Sequence, residues 1–171
     1  MYALSRARAK VLICFSISLI VGCVFTYAPK LRVALKHEDP AEGNDVNTIV
    51  TAYFDTKSKH SSAEYKQWMS NMLSLQDGMV IFTTPDMVSM ITQLRKHALH
   101  LTKVVPTDLH QLRMATAYDE AFWKRQHSLD PESGIHESYQ LYWIWDEKTE
   151  FLKRAVDMNP FNSSFFAWVD C

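Results

Sequence analysis

Asp170 is the residue whose position in the sequence points most directly to chemistry. It follows the apolar run Phe165 to Val169, which has the pattern of a buried strand. Ligands of parallel α/β sheets bind beyond the carboxyl ends of the strands. A carboxylate placed there can hold a divalent cation against a diphosphate. The same pattern suits an ordinary aspartate that caps a turn, so both interpretations stay open.

Lys148 is the second candidate, because it falls on the apolar face of a predicted helix. Ile144, Phe151 and Leu152 lie on that face. A lysine in such a place either extends its ammonium group to solvent or meets an anion. A phosphate partner is therefore one interpretation of Lys148, and a solvated side chain is the other.

Several other residues carry weaker signals. Four aromatic residues crowd the same predicted helix: Tyr139, Tyr142, Trp143 and Trp145. They suit packing in the core, with stacking against a sugar as the alternative. His97 and His100 have a spacing that permits shared metal ligation, but no acidic or cysteine partner with fitting spacing is nearby, which favours a solvated face. Asn162 begins an Asn-Ser-Ser sequon and is a predicted glycosylation site.

Composition excludes some classes of function. The chain has 18 basic and 19 acidic residues and a net charge of -1, which gives no electrostatic footprint for nucleic acid. It contains no glycine-rich phosphate loop, no G-x-S-x-G elbow and no H-E-x-x-H motif. Cys14 and Cys23 lie in an apolar N-terminal segment and Cys171 is the last residue, so no internal disulfide framework is expected.

Residues 46–171 alternate between strand and helix patterns. The predicted strands are 46–54, 79–82, 102–105 and 165–169. Alternation of this kind implies a largely parallel sheet with helices on both faces. The carboxyl-end rule then brings four places to one edge of the sheet: Asp55, the residues after Phe82, the region after Val105, and Asp170.

Three local signals define the helices between these strands. Ser61 to Glu64 form a capping box, and Gly78 is expected to end that helix in a left-handed conformation. Thr84-Pro85 predicts the next helix start, with a capping hydroxyl before a first-turn proline. A single long helix is predicted from about 137 to 158. Its expected buried stripe is formed by Leu141, Ile144, Trp145, Phe151, Leu152 and Ala155.

Residues 11–28 are predicted to be a transmembrane signal-anchor. This run of 18 residues carries no charge, and as a helix it would reach ~27 Å, close to the thickness of a thin bilayer. Residues 1–10 are expected to be a cytoplasmic tail, because Arg6, Arg8 and Lys10 precede the span. Residues 29–45 read as a stem, although the basic residues in them weaken the charge argument for this type II orientation.

Two alternatives to the signal-anchor stay open. Thr26-Tyr27-Ala28 offers a small-residue cleavage site, as in a secretory signal peptide. Ile20 to Cys23 is similar to a bacterial lipoprotein box, in which the lipidated cysteine would anchor the chain rather than span the bilayer. In each case the segment brings residues 46–171 to or across a membrane.

Five strings in the domain together resemble one family. They are TIVTAYFDT, YKQWM, IFTTPD, LYWIWDEKTEFLKRAVDMNPF and SSFFAWVDC. They are similar to the HtrL/YibB/WlaTC-type glycosyltransferases, which are linked in bacteria to the synthesis of lipopolysaccharide and other surface glycans. The resemblance implies a GT-A-like (Rossmann-like) nucleotide-sugar fold. In that fold an acidic motif after a central strand holds Mn²⁺ or Mg²⁺ and the diphosphate of the sugar nucleotide.

The resemblance also implies roles for individual residues. Asp170 matches the acidic metal position, Lys148 matches the lysine of the preceding helix, and Thr51, Ala52 and Tyr53 match a segment near the nucleotide sugar. The family pattern continues with a glycine and further sequence after the position of Cys171. Residues 46–171 are therefore expected to be a partial domain that ends before the acceptor half.

The implied function is that of a membrane-anchored glycosyltransferase with an unidentified glycan acceptor. Its expected location is the Golgi or another secretory-pathway membrane in a eukaryote, or the inner membrane in a bacterium. The alternative from a different class is a non-catalytic, membrane-tethered binding module with the same fold.

Overall fold

The computed structural model describes the backbone of residues 10–13 and the complete residues 47–56 and 60–170. The predicted stem, most of the predicted tail and span, and Cys171 lie outside the described residues. No helix in the described ranges is long and apolar enough to cross a bilayer. The predictions of an anchor and of its orientation therefore stay predictions.

The domain is a mixed α/β structure built on four parallel strands, with a short strand segment, β1 (Lys10–Ile13), beside it. The four strands are β2 (Asn47–Tyr53), β3 (Gly78–Thr83), β4 (Thr102–Pro106) and β5 (Phe165–Trp168). Their order is β5-β2-β3-β4, and β1 pairs in parallel with the outer side of β5. All four strands predicted for the domain are confirmed, with ends that differ by one residue at most.

Six α-helices connect the described strands. They are α1 (Ser62–Leu73), α2 (Val88–Leu94), α3 (Arg113–Ala117), α4 (Glu120–Leu129), α5 (Gln140–Asp146) and α6 (Lys148–Met158). Short 3₁₀ turns occupy Pro85–Met87, Lys96–Leu101 and Leu109–Gln111.

The capping box that predicts the start of α1 is confirmed. The backbone N–H of Ser61 donates to Glu64 Oε2 at 2.9 Å, and the Ser61 hydroxyl accepts from the Glu64 N–H. The prediction for Gly78 is wrong, because Gly78 is the first residue of β3 and no described glycine has a positive φ. Helix α1 instead ends at Ser74, where the N–H groups of Ser74 and Leu75 bond back three residues and close the last turn.

The second helix begins where Thr84-Pro85 predicts, but in a different way. Pro85 occupies the first turn, while the Thr84 side chain makes no capping hydrogen bond. The Thr84 carbonyl accepts from Met87 N–H at 3.1 Å, so the chain enters α2 through a 3₁₀ turn. The chain leaves α2 at Leu94, and the next 3₁₀ segment has a kink at Ala98.

The prediction of one long helix over 137–158 is wrong, because α5 begins at Gln140 and is separated from α6 at Glu147. Glu147, with a φ of -79° and a ψ of -9°, stands between the two helices. The side of the two helices that faces the core contains Trp143, Glu147, Phe151 and Ala155, at a spacing of four residues. Trp145, which the predicted stripe placed inside, is 40% exposed.

Helices cover both faces of the sheet, as predicted. On one face, called here the α6 face, core residues of the strands pack against α6, α5 and α4: Val50, Phe82, Phe166 and Trp168 from the strands, and Trp123, Trp143, Phe151 and Leu152 from the helices. On the other, called here the α1 face, the core contains Tyr53, Met79, Ile81, Met69, Leu73 and Ile91. Helix α6 therefore packs on the same face of the sheet as Phe166 and Trp168 of β5.

Candidate functional site

Lys148 and Asp170 meet at the carboxyl end of β5. The distance from Lys148 Nζ is 2.7 Å to Asp170 Oδ1 and 3.0 Å to Oδ2. The indole Nε1 of Trp168 donates a second hydrogen bond to Oδ1, at 2.9 Å. The N–H of Val169 donates to the Val50 carbonyl at 3.0 Å and keeps this end of the chain beside β2. The two residues singled out by the sequence thus form one ion pair.

Aromatic rings lie beneath this ion pair. Lys148 Nζ is 5.8 Å from the ring centroid of Trp168, within the range of a cation–π contact. The Trp168 ring stacks on Phe151, which in turn stacks on Phe54. The side chain of Lys148 is 17% exposed and that of Asp170 is 37% exposed. The lysine is therefore held against an apolar surface, while the carboxylate faces the solvent.

Thr51, Ala52 and Tyr53 are adjacent in β2, but they do not form one surface. Ala52 lies on the α6 face, the same face as Lys148. Tyr53 is buried in the core of the α1 face. The Thr51 hydroxyl, which strand alternation places with Tyr53, is buried and has no hydrogen-bond partner among the described residues. Of the three side chains predicted near a nucleotide, one shares a face with the ion pair.

The other residues at this edge of the sheet have structural partners. Asp55 accepts a hydrogen bond from the Ser62 hydroxyl and lies 3.7 Å from Lys66 Nζ, which ties the end of β2 to α1. The Thr83 hydroxyl donates to the Tyr53 carbonyl, and Thr107 N–H donates to the Thr83 carbonyl, both at 2.7 Å. These contacts connect the carboxyl ends of β2, β3 and β4.

The donor atoms in the described part of the chain do not assemble a cation site. Across residues 47–56 and 60–170, no group of three or more histidine, cysteine, aspartate or glutamate side chains could hold a metal ion. The Asp170 carboxylate is a single acidic group, already bonded to Lys148 and Trp168. His97 and His100 are exposed on a 3₁₀ turn. The predicted Mn²⁺ or Mg²⁺ at Asp170 therefore stays a prediction.

An open groove of about 540 Å³ lies between α3, α4 and α5. Its lining residues are aromatic, apolar and polar: Met114, Tyr118, Phe122, Trp123, Gln126, Asp130, Tyr142 and Asp146. Of the four aromatic residues noted in the sequence, Tyr142 lines this groove, while Trp143 is buried in the core. The groove was not predicted as a site, because three separate segments contribute to it.

Asp130 lines the groove and has three hydrogen-bond partners in the described chain. Tyr142 donates its hydroxyl to Asp130 Oδ2 at 2.6 Å, and His136 Nδ1 lies 2.7 Å from the same oxygen. The Tyr142 bond, the His136 bond and the Glu132 N–H together lower the pKa of Asp130 to about 2. Asp146 also lines the groove, and burial raises its pKa. The surroundings of Asp130 thus stabilise its charged form, whereas burial disfavours the charged form of Asp146.

Glu147 is a buried carboxylate that the sequence interpretation missed. It is 2% exposed, and its two oxygens accept hydrogen bonds from the N–H groups of Arg113, at 3.1 Å, and Met114, at 2.9 Å. These N–H groups are in the first turn of α3, where they have no partner within the helix. The repeat of Trp143, Glu147, Phe151 and Ala155 every four residues was the signal that could have placed Glu147 inside.

Asn162 is exposed in the turn before β5, with a φ of 53°. Its side chain is accessible, so the turn does not bury the predicted glycosylation site. Glycosylation itself stays a prediction.

Comparison with known families gives one match. A family model described as "Bacterial protein of unknown function (HtrL_YibB)" matches residues 45–171, which include every described strand and helix except β1. Neither a curated protein nor a solved structure matches the chain.

Proposed function

We propose that this chain, which belongs to the HtrL_YibB family, binds a nucleotide sugar at the carboxyl edge of its sheet as the donor-binding part of a membrane-anchored glycosyltransferase. The observation that carries the proposal is the meeting of Lys148 and Asp170 beyond the end of β5. They are 22 residues apart in sequence. Parallel sheets bind their ligands at this edge, and the sequence motifs around both residues resemble those of glycosyltransferases with a GT-A-like fold.

Lys148 is proposed to bind the diphosphate of the donor. Its ammonium group is a compact positive charge with three N–H donors, which suits phosphate oxygens. Asp170 and the Trp168 ring hold this group in place before the ligand arrives. A diphosphate carries more negative charge than one carboxylate, so it can share or take over the ammonium group.

In the proposed reaction, the bond between the anomeric carbon of the sugar and the diphosphate oxygen breaks. A hydroxyl oxygen of the glycan acceptor bonds to that carbon, and its proton passes to a base. The described residues support donor binding, and none of them is assigned as the base. Mn²⁺ or Mg²⁺ would neutralise charge on the diphosphate, but no proposed role of Lys148 depends on a metal.

The proposal includes a location. Residues 11–28 would anchor the protein in a Golgi or other secretory-pathway membrane in a eukaryote, or in the inner membrane in a bacterium. The apolar composition of this segment supports an anchor.

A non-catalytic, membrane-tethered binding module is the second candidate. This candidate is favoured because Lys148 and Asp170 already pair with each other. The indole N–H of Trp168 donates a further hydrogen bond to the Asp170 carboxylate. In that case the pair would only fasten α6 to the end of β5.

Isothermal titration of the full chain with uridine and guanosine diphosphates, with and without Mn²⁺, separates the two candidates. The chain is purified in a mild detergent because residues 11–28 are apolar. Lys148→Ala is expected to weaken nucleotide binding about tenfold or more, because it removes a charge-assisted contact to phosphate. Lys153→Ala is the matched control, since Lys153 is also in α6 and paired with a carboxylate, Asp157, at 2.6 Å.

The outcomes are distinct. Binding that Lys148→Ala weakens and Lys153→Ala leaves unchanged supports a donor site. Dependence on Mn²⁺ that disappears in Asp170→Asn, but persists in Asp157→Asn, supports the metal position. Absence of binding by either nucleotide, or equal effects of the two lysine substitutions, would favour the non-catalytic module.

A further inference from the structure

The groove between α3, α4 and α5 contains an exposed aromatic platform. The rings of Tyr118 and Phe122 are stacked, with centroids 4.2 Å apart and planes inclined by 19°. Trp123 contacts both rings edge-on. Tyr118 is 53% exposed even though one face of its ring lies against Phe122. A large part of the tyrosine ring therefore remains available to a ligand.

Polar groups with unused bonding capacity accompany this platform. Gln126 adds an amide that can both donate and accept, and the Asp146 carboxylate, partly desolvated, adds an acceptor. The groove thus offers donors and acceptors next to an apolar surface.

We propose that this groove binds a neutral saccharide. The C–H face of a sugar ring would pack on Tyr118, and the sugar hydroxyls would bond to Gln126 and Asp146. The groove volume of about 540 Å³ is within the usual range of small-molecule sites, roughly 300 to 1,000 Å³. Aromatic contact area with a few convergent polar groups is the chemistry that such sites use for orientation.

A cationic ligand fits the same groove less well. Aromatic rings and carboxylates together also attract amines. Here, however, Asp130 is already bonded to Tyr142, His136 and the Glu132 N–H. The N–H groups of the Gln126 amide can donate to the hydroxyl oxygens of a sugar, whereas a cationic group has no acceptor for them. The donors on the groove wall therefore favour a sugar.

The saccharide proposal does not require the nucleotide proposal. The two sites share no lining residue, although Asp146 precedes Lys148 by two positions in sequence. The groove is therefore tested without nucleotide, by saturation-transfer difference NMR on the full chain in detergent. The probes are maltotriose, cellotriose and N,N′,N″-triacetylchitotriose, and choline represents a cationic ligand.

Tyr118→Ala is expected to weaken the binding of at least one of these saccharides about tenfold, through loss of the stacking surface. Asp146→Asn is expected to weaken it less, because an amide keeps one acceptor. Trp68→Ala is the matched control, since Trp68 is 41% exposed on α1, outside the groove. Lys148→Ala should leave saccharide binding unchanged, which keeps this test separate from that of the nucleotide site.

Three results would overturn the proposal. The first is the absence of saturable binding by all three saccharides at millimolar concentration. The second is an equal effect of Tyr118→Ala and Trp68→Ala, with both variants folded by circular dichroism. The third is choline binding that depends on Tyr118 while the saccharides do not bind.

Discussion

Arg95 and Glu147 are both buried charged residues, but they belong to two regions of the domain with different surroundings. Arg95 connects the first region, residues 60–106, where its guanidinium donates to the carbonyls of four residues and to one hydroxyl: Leu73, Leu75, Asp77, Leu101 and Thr102. Every N–H direction of the group is used. Burial lowers the pKa of Arg95, and the negative charge of Asp77 opposes that shift.

Glu147 lies in the second region, residues 107–170, between two residues of the candidate ligand sites, Asp146 and Lys148. Its own carboxylate is satisfied by the first turn of α3. On one side of it in sequence, Asp146 lines the open groove. On the other side, Lys148 pairs with Asp170 at the edge of the sheet. In the first region the buried charge of Arg95 is bonded within the protein. In the second region Asp146, Lys148 and Asp170 lie where a ligand could contact them.

Removal of Arg95 tests whether its internal hydrogen bonds stabilise the first region. It has the largest expected effect on the free energy of unfolding. Arg95→Ala should lower the free energy of unfolding by about 3–5 kcal/mol, because it leaves several buried carbonyls without donors and a cavity in place of the side chain. Urea unfolding followed by tryptophan fluorescence measures the change. Lys96→Ala, an exposed neighbour, should change it by less than about 0.5 kcal/mol. A loss below about 1 kcal/mol for Arg95→Ala would contradict this view of the region.

Substitution of Glu147 should have an intermediate effect. Glu147→Leu removes both acceptors from the first turn of α3 and is expected to cost about 1–3 kcal/mol of unfolding free energy. Glu147→Gln keeps one acceptor and should cost less. Hydrogen exchange of the Arg113 and Met114 amides would show the cause directly, since both should exchange faster in Glu147→Leu. Unchanged exchange of these two amides would argue against the capping role.

The ion pair at the edge of the sheet should contribute little to stability. Lys148→Ala is expected to change the free energy of unfolding by at most about 1 kcal/mol, because Asp170 is partly exposed and water can solvate it when the lysine is lost. The same urea titration compares it with Arg95→Ala. A loss as large as that of Arg95→Ala would make the pair a structural fastener and would weaken the case for a ligand site.

The groove makes a prediction about acid pH, where the charge of Asp130 is lost. The folded-state pKa of Asp130, about 2, is below its ordinary value of 3.8. The bonds to Asp130 therefore stabilise the fold fully above that ordinary value, and their contribution is lost as the pH falls towards about 2. Tyr142→Phe should move the pKa of Asp130 upward, measured by carboxyl ¹³C shifts against pH. Tyr139→Phe, which removes a hydroxyl bonded to Glu120, should not, and an ordinary pKa in the unsubstituted protein would refute the prediction.

These two regions also differ in how far the sequence predicted them. In the first, a continuous apolar run and a capping box define β3 and α1 from neighbouring residues alone, and the structure agrees. Arg95 could not be placed, since its partners are carbonyls, which every residue type carries. Gly78 was misread because the last turn of α1 closes through ordinary backbone bonds.

In the second region, local pattern was less informative. The interruption at Glu147 coincides with the hydrogen bonds that its carboxylate accepts from α3, 33 and 34 residues away. The groove depends on how α3, α4 and α5 come together, which no short spacing encodes. Lys148 and Asp170 were still found, because a lysine on an apolar helix face and an aspartate after a strand are conspicuous in the sequence. Their direct contact required the structure, whereas the opposite orientations of Ala52 and Tyr53 follow from strand alternation.

Lysine footprinting tests the central claim, that Lys148 binds the diphosphate of a donor nucleotide. The full chain is acetylated with and without uridine or guanosine diphosphate, and the modification rate of each lysine is measured by mass spectrometry. We predict that one of the nucleotides slows acetylation of Lys148 and leaves that of Lys153 unchanged. Acetylation of Lys148 at the same rate with and without saturating amounts of both nucleotides would contradict the account.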